Sequence, residues 1–354
     1  MSFIDPILLL KELVSIPSPS GKESAVADAI VAWTRNAGLV AEMIGRNVVI
    51  TLGQKGGKRI LLNSHMDTVP PAADWRGDPY AAREENGKMV GLGSNDAKGS
   101  VASMLSAAAN LRDTKLDGEL IVAITVDEET GRGGEGLEWL IGRLGKIDAA
   151  VIGEPTGLDI CRAQKGLLIL DVESEGLARH AAHAHRIEGK NAVVEAARAI
   201  LALEGWRPGP EHPLLGKTTC QVTMISGGTR HNVIPDRCSF CLDLRTVPGM
   251  ETAEIVEAIQ KKTHAKVTVR SDRMRSFETP EGAEIIRAAI RARPASKLVG
   301  SSTMSDAIWT RHLPTIKVGP GETERSHTAG EYITVDELKS GAEFYERLVR
   351  EYLL

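Results

Sequence analysis

Aromatic side chains are scarce in this chain: four phenylalanines, four tyrosines and five tryptophans among 354 residues. A platform on which nucleic-acid bases stack needs several such rings, which argues against that class of function. Charge of one sign is lacking as well. The balance of 43 basic against 47 acidic residues leaves a net charge of −4, no electrostatic footprint for nucleic acid or an anionic membrane. No apolar run approaches membrane-spanning length, and no basic stretch precedes the short apolar run at Ile7 to Leu10. These absences predict a cytoplasmic protein that partners neither nucleic acid nor membrane.

Cysteine is also rare, with four in the chain, as expected of a reducing compartment. Cys238-Ser239-Phe240-Cys241 has redox or zinc spacing, but no second such pair completes a zinc site. The surrounding RCSFCLDLR reads as a strand, where positions three apart face opposite sides. Reduced, partly buried thiols are the expectation.

What is present is the pattern of an α/β protein long enough for two domains. Two helices open the chain, Asp5 to Val14 and Ala25 to Ala37, with Ser20 and Glu23 at capping-box spacing ahead of the second. Strand signals follow at Asn47 to Leu52 and Arg59 to Ser64. A loop runs from Pro70 to Arg83, and a small-residue helix from Lys98 to Leu111. Strand, helix and strand then alternate through Ile152. From Lys165 the order becomes βαββαβ: Leu167 to Ser174, Asn191 to Leu203, Thr218 to Ser226, Arg237 to Arg245, Thr252 to Lys262, Lys266 to Arg270. That is the ferredoxin-like arrangement. After Ser276 the first pattern returns. The reading is therefore a discontinuous mixed-sheet catalytic domain with helices on both faces, residues 1–164 and 276–354, interrupted by a ferredoxin-like domain at 165–275.

Five potential metal ligands are spread along the discontinuous part: His65 in LLNSHMDTV, Asp96 in GLGSNDAKGS, Glu129 in VAITVDEETG, Glu154 in AAVIGEPTG and His327 in ERSHTAG. The runs Ile60 to Leu62, Leu120 to Val126, Ala149 to Ile152 and Thr315 to Val318 read as buried parallel strands. Reactive groups of open α/β sheets collect beyond the carboxyl ends of such strands. An isolated HxD triplet or Glu-Glu pair is usually a solvated loop or a structural hydrogen bond; the conjunction of five ligand types is what carries weight. Two metals that share one carboxylate and one water need two histidines and three carboxylates, which is this set. Asp67 is placed to orient a histidine ring, and Glu128, beside Glu129, to exchange a proton with the shared water. His212, His264 and His312 read as surface histidines. RHAAHAH, with His180, His183 and His185, has the composition of a soft metal-binding tract.

SHMDTV, GLGSNDAKGS, DEETG, GEPT and SHT together resemble the dinuclear metal deacylases and exopeptidases. That family includes acetylornithine deacetylases, succinyl-diaminopimelate desuccinylases, aminoacylases and glutamate-releasing carboxypeptidases. The resemblance covers nearly the whole chain, and it implies a lid and dimerisation role for the inserted domain. It implies His65 and Glu154 on one metal, Glu129 and His327 on the other, and Asp96 bridging. The ions it implies are zinc or cobalt. Glu128 becomes the general base and Asp67 the support of the histidine ligand. GLARHAA resembles the segment whose histidine, here His180 with His183 as alternate, reaches across a homodimer to the oxyanion. HNVIPD and LDLR suggest Asn232 and Arg245 as substrate contacts. Here Asn95 precedes the bridging residue and Ala97-Lys98 follows it, a departure from many relatives. The segment after His180 has extra histidines in place of a proline-containing tail.

AQKGLLILD, TMSDAIW and VGPGETERSHTAGEYI look most like the acetylornithine deacetylase branch, where Lys165 stands in place of the arginine usual in desuccinylases. The expected substrates are N-acetylornithine, N-acetylcitrulline or N-succinylornithine, in arginine biosynthesis. Succinyl-diaminopimelate desuccinylase is the first alternative and a dipeptidase or aminoacylase the next. A binding protein that has lost its chemistry is the remote one, since all five ligands and Glu128 are retained.

Overall fold

The computed structural model describes residues 5–130, 134–186 and 190–354. It separates into two compact units. The first comprises the chain up to Arg162 with Thr279–Val299 and Ser305–Leu354; the second comprises Ala163–Glu278 and Gly300–Met304.

The first unit is built on a mixed sheet. Strand Lys58–His65 lies between Gly118–Thr125 and Ala149–Ile152, Thr315–Lys317 follows, and these four are parallel. Asn47–Gly53 and Ala41–Ile44 extend one side antiparallel, and Ile160–Gln164 the other, with Cys161 beside Lys317. Every residue of Gly118–Thr125 and Ala149–Ile152 is buried, which is why these strands read as unbroken apolar runs. Ile60, Leu62, Val122 and Val151 share one core with helices Pro6–Ser15, Lys98–Leu111 and Val335–Leu353. Leu61, Ile121 and Ala150 point to the opposite face and are buried there too.

Local chemistry sets the helix starts. Asp5 caps Pro6–Ser15 by accepting the Ile7 N–H at 3.0 Å, with proline in the first turn. Thr334 and Glu337 form a capping box on Val335–Leu353. Helix Lys98–Leu111 is buried at every position but Asn110, and its glycine, alanines and serines allow close approach to the long C-terminal helix.

Two sequence expectations are corrected. Ser20 and Glu23 do not form a capping box. Glu23 is the N-cap residue of Ser24–Asn36 without a side-chain cap bond, and its carboxylate binds the Gly21 N–H and Arg46. Ser20 donates instead to Asp67 at 2.6 Å; a long-range carboxylate outcompetes the local cap. The loop expected from Pro70 holds to Ala82, and beyond it short strands Arg83–Glu85 and Lys88–Val90, not foreseen from sequence, pair in a small sheet with Tyr332–Thr334. His212 is buried rather than exposed, and its Nδ1 accepts the N–H groups of Leu214 and Leu215.

The second unit carries strands Gly166–Glu175, Thr219–Gly227, Arg237–Thr246 and Lys266–Met274 with helices Ala192–Leu203 and Thr252–Thr263. Across the sheet the order is Thr219–Gly227, Arg237–Thr246, Gly166–Glu175, Lys266–Met274, all antiparallel, the ferredoxin-like order. Leu168, Leu170 and Val172 alternate inward to meet Ala196, Ala199 and Ile255 from the helices. All four cysteines are buried and none is joined in a disulfide. Among the described residues no helix is long and apolar enough to cross a membrane.

Candidate metal centre

Parallel strands share a direction, so their carboxyl ends lie along one edge of the sheet. His65 is the last residue of Lys58–His65; Glu128 and Glu129 follow Gly118–Thr125; Glu154 follows Ala149–Ile152. Asp96 comes from elsewhere, from the turn ahead of helix Lys98–Leu111. His327 lies not at a strand end but on the loop between Thr315–Lys317 and Tyr332–Thr334, in the left-handed backbone region at φ +60°. The small sheet that pairs Tyr332–Thr334 with Lys88–Val90 brings this loop to the turn carrying Asp96.

These five residues converge. Asp96 Oδ1 is 3.4 Å from His65 Nε2, while Asp96 Oδ2 is 3.5 Å from His327 Nε2. Glu154 Oε1 is 3.7 Å from His65 Nε2, and Glu129 Oε2 is 3.1 Å from His327 Nε2. Ligand atoms bound at about 2.0–2.2 Å around a tetrahedral ion lie about 3.3–3.6 Å apart. The two Asp96 separations fall in that range, and the Glu154 and Glu129 separations lie within about 0.2 Å of it. His65 Nδ1 is 3.1 Å from the Asp67 carbonyl, so in the neutral ring that nitrogen carries the proton and Nε2 is the one left to bind a cation. Both His65 Nε2 and Glu154 Oε1 are buried without a hydrogen-bond partner. Two such buried atoms facing each other are costly unless a proton or a metal cation lies between them. The residues fit divalent metal.

Electrostatics agree. Burial resists charge on His65, yet Asp67, Asp96 and Glu128 outweigh it and hold the imidazole well above its usual range. Burial, with Asp96 adding to it, pushes Glu154 up to about 8. Glu128 is driven well above the usual carboxylate range by burial and by Glu154, Asp306 and Glu129. His327 is raised to about 9, first by its hydrogen bond to Glu129. So many carboxylates buried together leave the centre short of positive charge.

Asp67 takes more partners than the sequence suggested. Besides lying beside the His65 ring, its carboxylate accepts Ser20 Oγ–H and the backbone N–H groups of Glu128 and Glu129, the latter two at 3.2 Å. Asp127, in the left-handed region at φ +60°, turns the chain into that pair, and Arg46 grips its carboxylate together with Glu23 and Glu135. Residues missed from sequence are Asp306, pushed up to about 7 by burial and nearby Asp67, and Glu331, raised to about 7 by burial with Asp96 nearby. Glu331 stands four positions after His327, and Asp306 sits in TMSDAIW; acidic residues beside a ligand motif are the signal that was available.

The remaining expected residues lie in the second unit. His180 is exposed, at the end of the two-residue strand Arg179–His180, and its Nδ1 accepts the Ala182 N–H at 3.1 Å. His180 faces Val233 across this pairing, and one residue beyond it the Ala181 N–H donates to the Asn232 carbonyl at 2.9 Å. The Arg245 guanidinium is already bidentate on Asp243, at 2.9 and 3.1 Å. Lys165 is buried, and its ammonium donates to the Lys217 carbonyl at 2.8 Å.

Residues 61–351 match the model of Peptidase family M20/M25/M40. A succinyl-diaminopimelate desuccinylase from Dinoroseobacter shibae is 29% identical over 98% of this chain and 99% of its own length. An acetylornithine deacetylase from Myxococcus xanthus is 31% identical over 82% of this chain and 80% of its own. Among solved structures, a dinuclear metal binding peptidase of family M20 from Bacillus subtilis superposes with a TM-score of 0.76 at 16% identity, covering 97% of this chain and 96% of that one. At that identity the likeness is one of fold.

Proposed function

This chain belongs to peptidase family M20/M25/M40, hydrolases of amide bonds, and from that membership we propose that it removes the acyl group from an N-acylated amino acid, N-acetylornithine first. N-acetylcitrulline and N-succinylornithine are the other candidates of that branch. The observation that carries a two-metal reading is Asp96, which turns one oxygen to each histidine. His65 and Glu154 then serve one ion, Glu129 and His327 the other; zinc is the proposed metal and cobalt its substitute.

Two bound divalent ions supply the electrophilic pull on the scissile carbonyl and a source of hydroxide near neutral pH. Glu128 is assigned the proton transfers. Its carboxylate lies 4.0 Å from His65 Nε2, farther than Asp96 or Glu154, and its raised proton affinity suits a group that takes a proton from water and returns it to the leaving amine. His180 is assigned to the developing oxyanion. Because its Nδ1 is an acceptor, its proton sits on Nε2 and is free to be donated. In this reading the second unit, read from sequence as residues 165–275, is the lid and dimerisation domain, and His180 serves the partner subunit's site. Asn232 fixes the His180 turn. Arg245 would meet a substrate carboxylate by exchanging Asp243 for it, and Lys165 closes the substrate-contact set. We place the protein in the cytoplasm, where buried thiols stay reduced.

Desuccinylation of N-succinyl-diaminopimelate is the second reading, favoured by relatives of that name aligned over nearly the whole chain. Release of free amine by ninhydrin from the four acylated amino acids, with dipeptides alongside, tests both. Turnover of dipeptides alone overturns the deacylase assignment.

A further inference from the structure

The two halves of the metal centre are held by different means. His65 is the end of a central strand and almost wholly buried. His327 sits on a loop, its side chain 52% exposed, and the core does not enclose it. What holds it is a clasp to the turn that carries Asp96. Asn95, fully buried, donates from Nδ2 to the Glu322 carbonyl at 3.0 Å and to Ser326 Oγ at 3.2 Å, and its Oδ1 accepts the Glu322 N–H at 3.1 Å. Gly321 permits the approach: a Cβ there would lie 2.2 Å from Asn95 Oδ1. Beyond His327, the buried Glu331 carboxylate accepts the N–H groups of Gly93, Asn95 and Asp96 at 3.1, 2.8 and 2.9 Å. His327 is therefore pinned on both sides to the turn that carries Asp96, through Ser326 and Glu322 before it and Glu331 after it.

We propose that Asn95 and Ser326 are positioning residues for the Glu129–His327 half of the centre, setting the affinity of the second metal while leaving the His65–Glu154 half to stand alone. The inference rests on the two-metal reading above. Loss of a hydrogen-bonding partner behind a metal ligand costs typically about 10–100-fold in affinity. Here that loss falls on one ion of two, because the alanine variants leave Glu154 and the His65 strand untouched.

The test uses the full chain stripped of metal by chelation and titrated with zinc by calorimetry and with cobalt by visible absorption. Wild type should show two steps. Asn95→Ala and Ser326→Ala should keep the first step unchanged and weaken the second by about 10–100-fold, with the second cobalt spectrum displaced to higher metal. Should Asn95→Ala not fold, Ser326→Ala, which removes one hydroxyl, carries the same expectation. Two-step curves superimposable on wild type, or equal weakening of both steps, overturn the inference and leave the two-metal reading standing. A wild type that binds a single ion overturns both.

Discussion

The carboxylate of Asp67 accepts the backbone N–H of Glu128 at 3.2 Å, so the residue beside the His65 ring also fixes the loop that carries the proposed base. Asp67→Asn places an amide donor among donors, the Ser20 hydroxyl and two peptide N–H groups. It should lower stability by about 1–3 kcal/mol and weaken metal binding by about 10–100-fold. Thermal unfolding and metal titration check the two effects; an unchanged metal affinity removes Asp67 from the support of His65.

Glu128→Gln should lower turnover by about 10²–10⁴-fold with two metals still bound, because it removes a proton acceptor and no ligand. Glu129→Gln should instead lose the ion shared with His327. Metal analysis beside steady-state kinetics separates them. If the behaviours are exchanged, the two neighbouring roles are exchanged as well.

Metal removal should destabilise the fold, not only silence it. Glu128 and Glu154, both pushed upward by burial and by like charge, must either take up protons or repel their neighbours when no cation is bound. Binding to the folded state alone adds about 2.7 kcal/mol at a metal concentration 100 times the dissociation constant. The unfolding midpoint of chelated protein should therefore rise with added zinc and saturate. A midpoint indifferent to zinc contradicts the centre.

The Cys220 thiol offers a pH test remote from the metals. Burial and the nearby Asp243 push it up to about 11. The folded state thus favours the neutral thiol, a contribution present in full below the ordinary thiol range and lost as pH rises through about 11. Native protein treated with iodoacetamide at mildly alkaline pH should leave Cys220 unmodified, and unfolded protein should not. Labelling of native Cys220 at the unfolded rate refutes the protection.

Chains bearing His180→Ala mixed with chains bearing Glu128→Gln test whether His180 acts across a dimer. Each homodimer should be inactive. In a mixed dimer one site combines an intact Glu128 with the partner's His180, and part of the activity should return. Subunit exchange without recovery places His180 outside the partner's site.

Sequence by itself determined the local pattern and the identity of the chemistry. Unbroken apolar runs marked the four parallel strands because both faces of that sheet are buried, whereas along Gly166–Glu175 burial alternates although the sequence opens on the unbroken run Leu167-Leu168-Ile169-Leu170. His65, Glu129 and Glu154 were legible because strand ends gather them at one edge of the sheet, whereas Asp96 and His327 lie off the strand ends and were marked only by their motifs. Only the tertiary structure decided which oxygen faces which histidine, that Asp67 holds the base loop, that Glu23 serves Arg46 instead of a helix cap, and that Arg245 is engaged by Asp243. It also decided that Asn95 and Ser326, 231 residues apart, meet beside Asp96. Such partners share no period and no neighbourhood in the chain. Their hydrogen bonds exist only once the strands, the small sheet and the His327 loop have been brought together by packing.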